Sequence, residues 1–502
     1  MRNIISLTLV FSLLVAALQA AIDPSTQQSR KWTAVTGQTM EGKLVNLQDD
    51  TVHLILDGEK TAKIKFGQLS ADDQRYVKAA ATGQNLEQLA DGNKVVAVKH
   101  NAAGNYTLFV KKDGTLWGMG RNRNGVLGIP ENRQEKILIP RLITTNVDKD
   151  KFNSGFVRHD ITFFKRDNSY WKLGAPPEKI ADNVRAAGDG WTLTMNGELW
   201  HERSGKNELY ARNLIDYVGR WHWGITNDGI LVFKSDWKGD WNEWHNIKGS
   251  TGAAKILTVK SYSNNCIFLK QDRSLWAAPT SYKNPALPIA QDVASVWSIT
   301  DRIYYLTNGG MLSYYNDDEY EAFEKGKVKN IHLANNVISC SISGDDDIFF
   351  ITNDGTLWGM GRNNCGELGK LNKDDDKSRN INSPIRLASD VASVAGFDRS
   401  VFFIKRNGTL WAMGDLESVI GQKDADAPVQ IATDAALIGR QSFLSVYTLH
   451  FIKKDGTLWG VGYNSGGKIG DGTTIHRKEP VQVKVPETPL SVLQTDTAGA
   501  GY

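Results

Sequence analysis

The chain has 502 residues, with 59 basic and 56 acidic side chains and a net charge of +3, too weak a field for a nucleic-acid-binding surface. A hydrophobic fraction of 41% with 23% charged residues belongs to a folded globular chain and excludes a disordered or fibrous one. Against 13 Pro and 3 Cys stand 47 Gly and 15 Trp, a balance that points to many tight turns and aromatic packing points, and so to repetitive β-structure. Cys266, Cys340 and Cys365 cannot make a disulfide framework. At most one bridge can form, with Cys340 and Cys365 the nearest pair, and no Cys-x-x-Cys pair or His/Cys cluster offers a zinc site.

In chain order, Arg2, the apolar run Ile4 to Leu18 and the small-residue context Leu18-Gln19-Ala20 read as a secretory signal peptide over residues 1–20. The alternative, a membrane anchor, needs a run of roughly 20 apolar residues, and this one is shorter. The expectation is an exported protein, periplasmic, cell-surface or secreted, without stable membrane insertion.

Residues 30–78 alternate polar and apolar positions at Met40–Leu47, Thr51–Leu56 and Ala62–Phe66, with turns at Asp49-Asp50 and Asp57-Gly58. Ser70 with Asp73 approximates a helix capping box, and Tyr76-Val77 supply an apolar face. The expected unit is a small five-strand-like barrel or meander. Through Arg30, Trp32, Thr33, Gly37, the Val45 and Val52-Leu54 strands and the run Leu69 to Val77, it resembles the first homology domain of the endocytic adaptor Sla-one, a Src-homology-3-like barrel. The resemblance implies that fold and a generic peptide- or wall-binding role; a stabilising cap or spacer is the alternative. Residues 79–93 read as a linker.

Residues 94–490 are a repeat. Asp113-Gly114-Thr115-Leu116-Trp117-Gly118-Met119-Gly120-Arg121-Asn122 recurs unchanged as Asp354 to Asn363, with close copies at Asn407 to Gly414 and Asp455 to Gly462. Looser copies end at Trp171, Trp200, Leu231, Trp276 and Leu312, which makes nine units. A second motif keeps phase with the first: Ile180-Ala181-Asp182-Asn183-Val184, Ile289-Ala290-Gln291-Asp292-Val293, Leu333 to Val337, Leu387 to Val391 and Ile431 to Ala435. Two motifs in fixed order at a period of roughly 43 residues are the signature of a solenoid or propeller. Asp-Gly between apolar strands closes a two-residue hairpin, and the following Gly-x-Gly leaves room for close approach. Each Trp is expected between adjacent sheets, and a ring of such sheets buries the faces that one sheet cannot bury alone.

The Asp-Gly-x-Leu-Trp strand pair, followed by loops such as Asn124-Gly125-Val126-Leu127-Gly128, Cys365-Gly366-Glu367-Leu368-Gly369 and Ser465-Gly466-Gly467-Lys468-Ile469-Gly470, resembles the regulator of chromosome condensation repeat. The resemblance implies an all-β propeller of tandem four-stranded blades and protein partners, since family members include a nucleotide exchange factor for a small GTPase and a secreted β-lactamase inhibitor. The middle units lose the loop and two lose the Trp; with the family norm at seven, seven to nine blades are expected, closed by strands from both ends of the repeat. Residues 491–502 read as a flexible tail.

No nucleophile elbow, phosphate loop or His-Glu-x-x-His helix is present, and no catalytic residue, metal site or cofactor is expected. His222, His245 and His450 read as loop or edge-strand residues, and the acidic runs Asp345-Asp346-Asp347 and Asp374-Asp375-Asp376 as solvated loops without a calcium pattern. The non-repeat feature is the Trp cluster. Trp237, Trp241 and Trp244, preceded by Trp221 and Trp223, either form an aromatic platform for a sugar ring or a protein, or fill space between blades. The function expected is an exported, non-enzymatic binding or scaffold protein that engages proteins through its propeller faces. The alternative is a polysaccharide- or cell-wall-binding protein, or a carbohydrate-active propeller enzyme with a carboxylate pair.

Overall fold

In the computed structural model the described residues are 29–488, apart from 35, 37, 49–50, 57–59, 71–72, 75, 78–79, 81–92, 101–104, 123–124, 126, 129–135, 153–161, 175, 204–205, 220–221, 235–243, 260–264, 280–283, 300–301, 317–329, 344–346, 370–379, 398 and 440–446. The signal peptide, most of the linker and the tail lie outside them. The chain forms two compact units, one comprising residues 1–94, 111–113 and 487–502, the other 95–110 and 114–486.

In the first unit, β1 (Arg30–Thr33), β2 (Thr39–Gln48), β3 (Thr51–Leu56) and β4 (Thr61–Lys65) form an antiparallel meander in chain order. Alternation buries Val52 and Leu54 with Trp32, Leu44, Leu69 and Val77. The fifth strand is reduced to a single bridge, Ala34 with Leu69, because the 3-10 turn Phe66–Gln68 redirects the chain. Asp73 ties the ends together. Its carboxylate accepts from the Ser70 hydroxyl at 2.9 Å and the Thr33 N–H at 2.6 Å and pairs with Arg30 at 2.8 Å, while Arg30 lies 4.1 Å from the Tyr76 ring centre.

In the second unit nine antiparallel sheets follow one another, and each is built only from neighbouring strands. Blade 1 comprises Val95–His100, Tyr106–Lys111, Leu116–Arg121 and Lys136–Thr144; blade 2 comprises Thr162–Phe164, Tyr170–Lys172 and Glu178–Ala181. Blades 3 to 9 span 184–211, 214–246, 253–290, 293–334, 337–388, 391–432 and 435–482.

One backbone contact repeats between blades. The first N–H of each inner strand donates to the hairpin turn of the blade before: Val147 to Gly114, Val184 to Asn168, Leu214 to Gly197, Ala253 to Gly229, Val293 to Arg273, Val337 to Gly310, Val391 to Gly355 and Ala435 to Gly408. The ninth bond, Val95 to Gly456 at 3.0 Å, joins the last hairpin to the first inner strand. The repeat region is a closed, nine-bladed β-propeller.

The same bonds explain the second motif. Asn183, Asp292, Asn336, Asp390 and Asp434 all have φ between 53° and 61°, a left-handed conformation that Asn and Asp tolerate best among residues with side chains. That conformation aims each carbonyl at the hairpin of its own blade, where it accepts from Met195, Asn308, Asn353, Arg406 and Lys454 at 2.8–2.9 Å.

The first motif is a side-chain relay. Asp167, Asp272, Asn407 and Asp455 accept from the Ser or Thr two residues on, and that hydroxyl accepts the indole N–H of Trp171, Trp276, Trp411 and Trp459 at 2.6–2.9 Å. A Lys lies over each of these rings, from 3.6 Å at Lys270–Trp276 to 4.9 Å at Lys405–Trp411. The Trp rings pack against the preceding blade, Trp358 beside Tyr304 and Leu306, Trp276 beside Trp223 and Phe233. Gly118 and Gly359 admit the loop leucines Leu127 and Leu368, whose N–H groups are held by Asn122 at 2.9 Å and Asn363 at 3.0 Å.

Two expectations are corrected. Closure does not use strands from both ends in one sheet: each sheet is completed locally, so blades 9 and 1 join by packing Ile452, Leu458 and Val483 against Val95, Phe109 and Met119. His450 is no loop or edge residue; it lies fully buried in the second strand of blade 9, Thr448–Lys453. All three cysteines are free, Cys340 on an inner strand and Cys365 beyond the third strand of the same blade.

Candidate binding surface on one propeller face

Antiparallel order sorts the connections. Hairpins between second and third strands, and the links to the next blade, end on one face; connections between strands one and two and between three and four end on the other. Among the described residues, the second face carries the connection 463–476 and the helix Glu417–Ile420. It is the loop-bearing face.

Trp237 and Trp241 lie outside the described residues. Trp244 opens the outer strand of blade 4, Trp244–Asn246, paired with Lys234. It is half-buried edge-on to Tyr210 and Tyr217, with ring centres 6.1 and 6.4 Å away. The Tyr217 hydroxyl bridges His222 Nδ1 at 2.7 Å and His201 Nε2 at 3.1 Å, and Lys234 Nζ lies 4.0 Å from the Tyr210 ring centre. Trp244 thus joins an aromatic and imidazole cluster at the boundary of blades 3 and 4.

Blade 2 is the thin blade: its inner strand is reduced to the bridge Val147–Lys165, and its second and third strands are three residues each. Beside it, toward blade 3, opens a cleft of about 390 Å³ lined by Tyr170, Trp191, Trp200, Glu178, Asp189 and Glu202, among others. The Trp191 indole lies against Gly188 and Gly219, where any Cβ would collide with it. Trp191 also meets Tyr217 edge-on at 4.9 Å, so its ring is fixed from several sides.

A second pocket, of about 420 Å³, lies at the seam between blades 9 and 1. Beneath it His100 and His450 pair, Nε2 to Nδ1, at 3.1 Å, and Thr107 lies 3.1 Å from the other His100 nitrogen. Burial pushes both imidazoles toward the neutral form, His450 down to about 3 and His100 well below its usual value; the His450 and Lys468 charges press His100 further. Burial first, and then the Arg121 charge, lower Lys468 to about 8. Among the described residues no group of three or more His, Cys, Asp or Glu could hold a metal ion, and no helix is long and apolar enough to cross a membrane.

No protein-family model and no curated protein matches the chain. Solved structures do. Yeast RCC1 (Prp20), crystallised with Kap60 bound, matches at 14% identity and a TM-score of 0.36, over 78% of this chain and 75% of that one. Human WBSCR16 matches at 15% identity and 0.32, over 78% and 83%; BamB from Moraxella catarrhalis at 12% and 0.33, over 72% and 92%.

Sequence reasoning missed Trp191, Tyr210, Tyr217, Arg121 and Lys468 as surface or cluster residues. A signal existed for a different regularity. A Phe faces the motif Trp across the hairpin in six blades, at Phe109, Phe163, Phe268, Phe350, Phe403 and Phe451, always eight positions earlier.

Proposed function

We propose that this chain is an exported, non-enzymatic binding protein whose loop-bearing propeller face receives a protein partner. The observation that carries this reading is the placement of both the cleft beside blade 2 and the seam pocket on one face, with the connection 463–476. The opposite face is occupied by short hairpins already engaged in the inter-blade backbone bonds. Export rests on the amino-terminal sequence, and the first unit, on its resemblance to a Src-homology-3-like barrel, serves as a peptide-binding or spacing module. The test is affinity capture from the native envelope, followed by cross-linking mass spectrometry. Cross-links from a recovered partner at Lys172 and Lys179 support the reading; cross-links confined to hairpin residues such as Lys405 and Lys454 overturn it.

A second reading, glycan binding, is favoured by the cleft beside blade 2, where the half-buried Trp191 and Trp200 line the space beside Glu178, Asp189 and Glu202. It predicts that Trp191→Ala abolishes retention on cell-wall polysaccharide while the fold survives. In its enzymatic form it predicts release of reducing ends that Glu202→Gln or Glu178→Gln eliminates.

A further inference from the structure

The seam pocket has a chemistry of its own. Six of its lining residues are Asn105, Arg121, Ser418, Tyr447, Tyr463 and Lys468. Its described lining brings two cations, two phenols, serine hydroxyls and an amide, and no carboxylate. Arg121 and the two tyrosines are exposed, whereas Lys468 is only 5% exposed. Arg121 and Lys468 put two positive charges on this lining, which favours an anion.

The position of Lys468 sets this blade apart from the others that carry the same loop. Val126 and Glu367 occupy its place in the copies of blades 1 and 7. Glu367 turns back on its own loop, accepting from the N–H groups of Asn364 at 3.2 Å and Cys365 at 2.7 Å. Lys468 reaches toward the tyrosines, with Nζ 5.4 Å from the Tyr463 ring centre and 5.8 Å from that of Tyr447. Its backbone is fixed. The Lys468 carbonyl accepts from the Thr107 hydroxyl at 3.0 Å, and the next N–H, of Ile469, is held by Asn464 at 2.9 Å. Tyr463 is steadied by His476, 4.0 Å away between ring centres. Such a site is organised before any ligand arrives.

We propose that the seam pocket binds an oxyanion carried on a small hydroxylated ring, with the carboxylate or phosphate at Arg121 and Lys468 and the ring against Tyr447 and Tyr463. The pocket lies on the face assigned to the protein partner, but this inference rests on the pocket's own side chains and is read without that partner. The test is calorimetric titration of the full chain, at low ionic strength to limit screening, with glucose 6-phosphate, glucuronate, glucose and inorganic phosphate. The two charged sugars are expected to bind and glucose not to; the stronger of the two identifies the oxyanion. Arg121→Gln, an exposed change that spares the core, is expected to weaken binding about 10- to 100-fold, the worth of one charge-assisted hydrogen bond. Tyr447→Ala is expected to weaken glucose 6-phosphate and leave inorganic phosphate unchanged. Equal binding of glucose, unchanged affinity in Arg121→Gln, or no heat from either charged sugar overturns the proposal.

Discussion

Blade 8 and blade 2 occupy equivalent places in the ring and are built to different standards. Blade 8 has four full strands, the left-handed Asp390, and a hairpin in which Asn407, Thr409 and Trp411 are linked hydroxyl to indole. Blade 2 keeps a left-handed Asn146 and the relay of Asp167, Ser169 and Trp171, but has three short strands and a single bridge in place of the fourth. Yet both receive the same backbone bond from the next blade, Ala435 to Gly408 at 2.8 Å and Val184 to Asn168 at 2.9 Å. The ring is therefore held in register by bonds at the hairpins and inner-strand starts, which both blades make whatever the length of their strands. Where the strands are shortened the ring still closes, and the space released becomes a cleft.

The largest expected effect tests that division. Phe403→Ala, fully buried between blades 7 and 8, is expected to cost about 3–5 kcal/mol, and the matching Phe163→Ala in the thin blade less, as read from urea midpoints. Equal costs would mean that blade 2 contributes as much as a full one. Next comes the seam. His450 and His100 are held neutral in the fold and titrate near 6.5 when unfolded, so the unfolded chain binds more protons as pH falls. Stability is expected to be complete above pH 6.5 and to fall as pH drops below it, by roughly 1.4 kcal/mol per pH unit for His450 toward about pH 3 and in the same direction for His100, with His450→Gln flattening the profile of midpoint against pH. A smaller effect tests the backbone frame. Asp390→Ala and Asn146→Ala are expected to cost about 1–2 kcal/mol each, alike in the full and the thin blade, and their Gly counterparts to cost less. The smallest is Thr409→Val, which removes the hydroxyl between Asn407 and Trp411 and is expected to cost about 1 kcal/mol in the same assay.

The ring was legible in the sequence because its determinants are local. Asp-Gly turns, Asn or Asp before an inner strand, and Trp after Ser or Thr each act within a few residues, so the motif survives as text. The count of nine followed from recognising Asn168, Arg273 and Gly310 turns as variants of one hairpin. The mode of closure did not follow, because no local signal says whether two distant sheets share a strand or stack. The candidate surface was legible only in part. Trp244 stood out by composition, whereas Trp191 gains its place from two glycines, Gly188 and Gly219, on neighbouring blades. Lys468 and Arg121 meet across nearly the full length of the repeat, a proximity created by the ring alone.

The bond from Val95 to Gly456 also bears on how the molecule is made. Eight of the nine inter-blade bonds join consecutive segments and can form as the chain emerges, at little cost in loop entropy. The ninth must wait until blade 9 exists, and until then the arc ends in two uncovered apolar sheet faces able to dock on a second arc as readily as on each other. Ring completion is thus a race between an intramolecular step and a concentration-dependent one, and dilute refolding should favour monomeric rings over linked pairs.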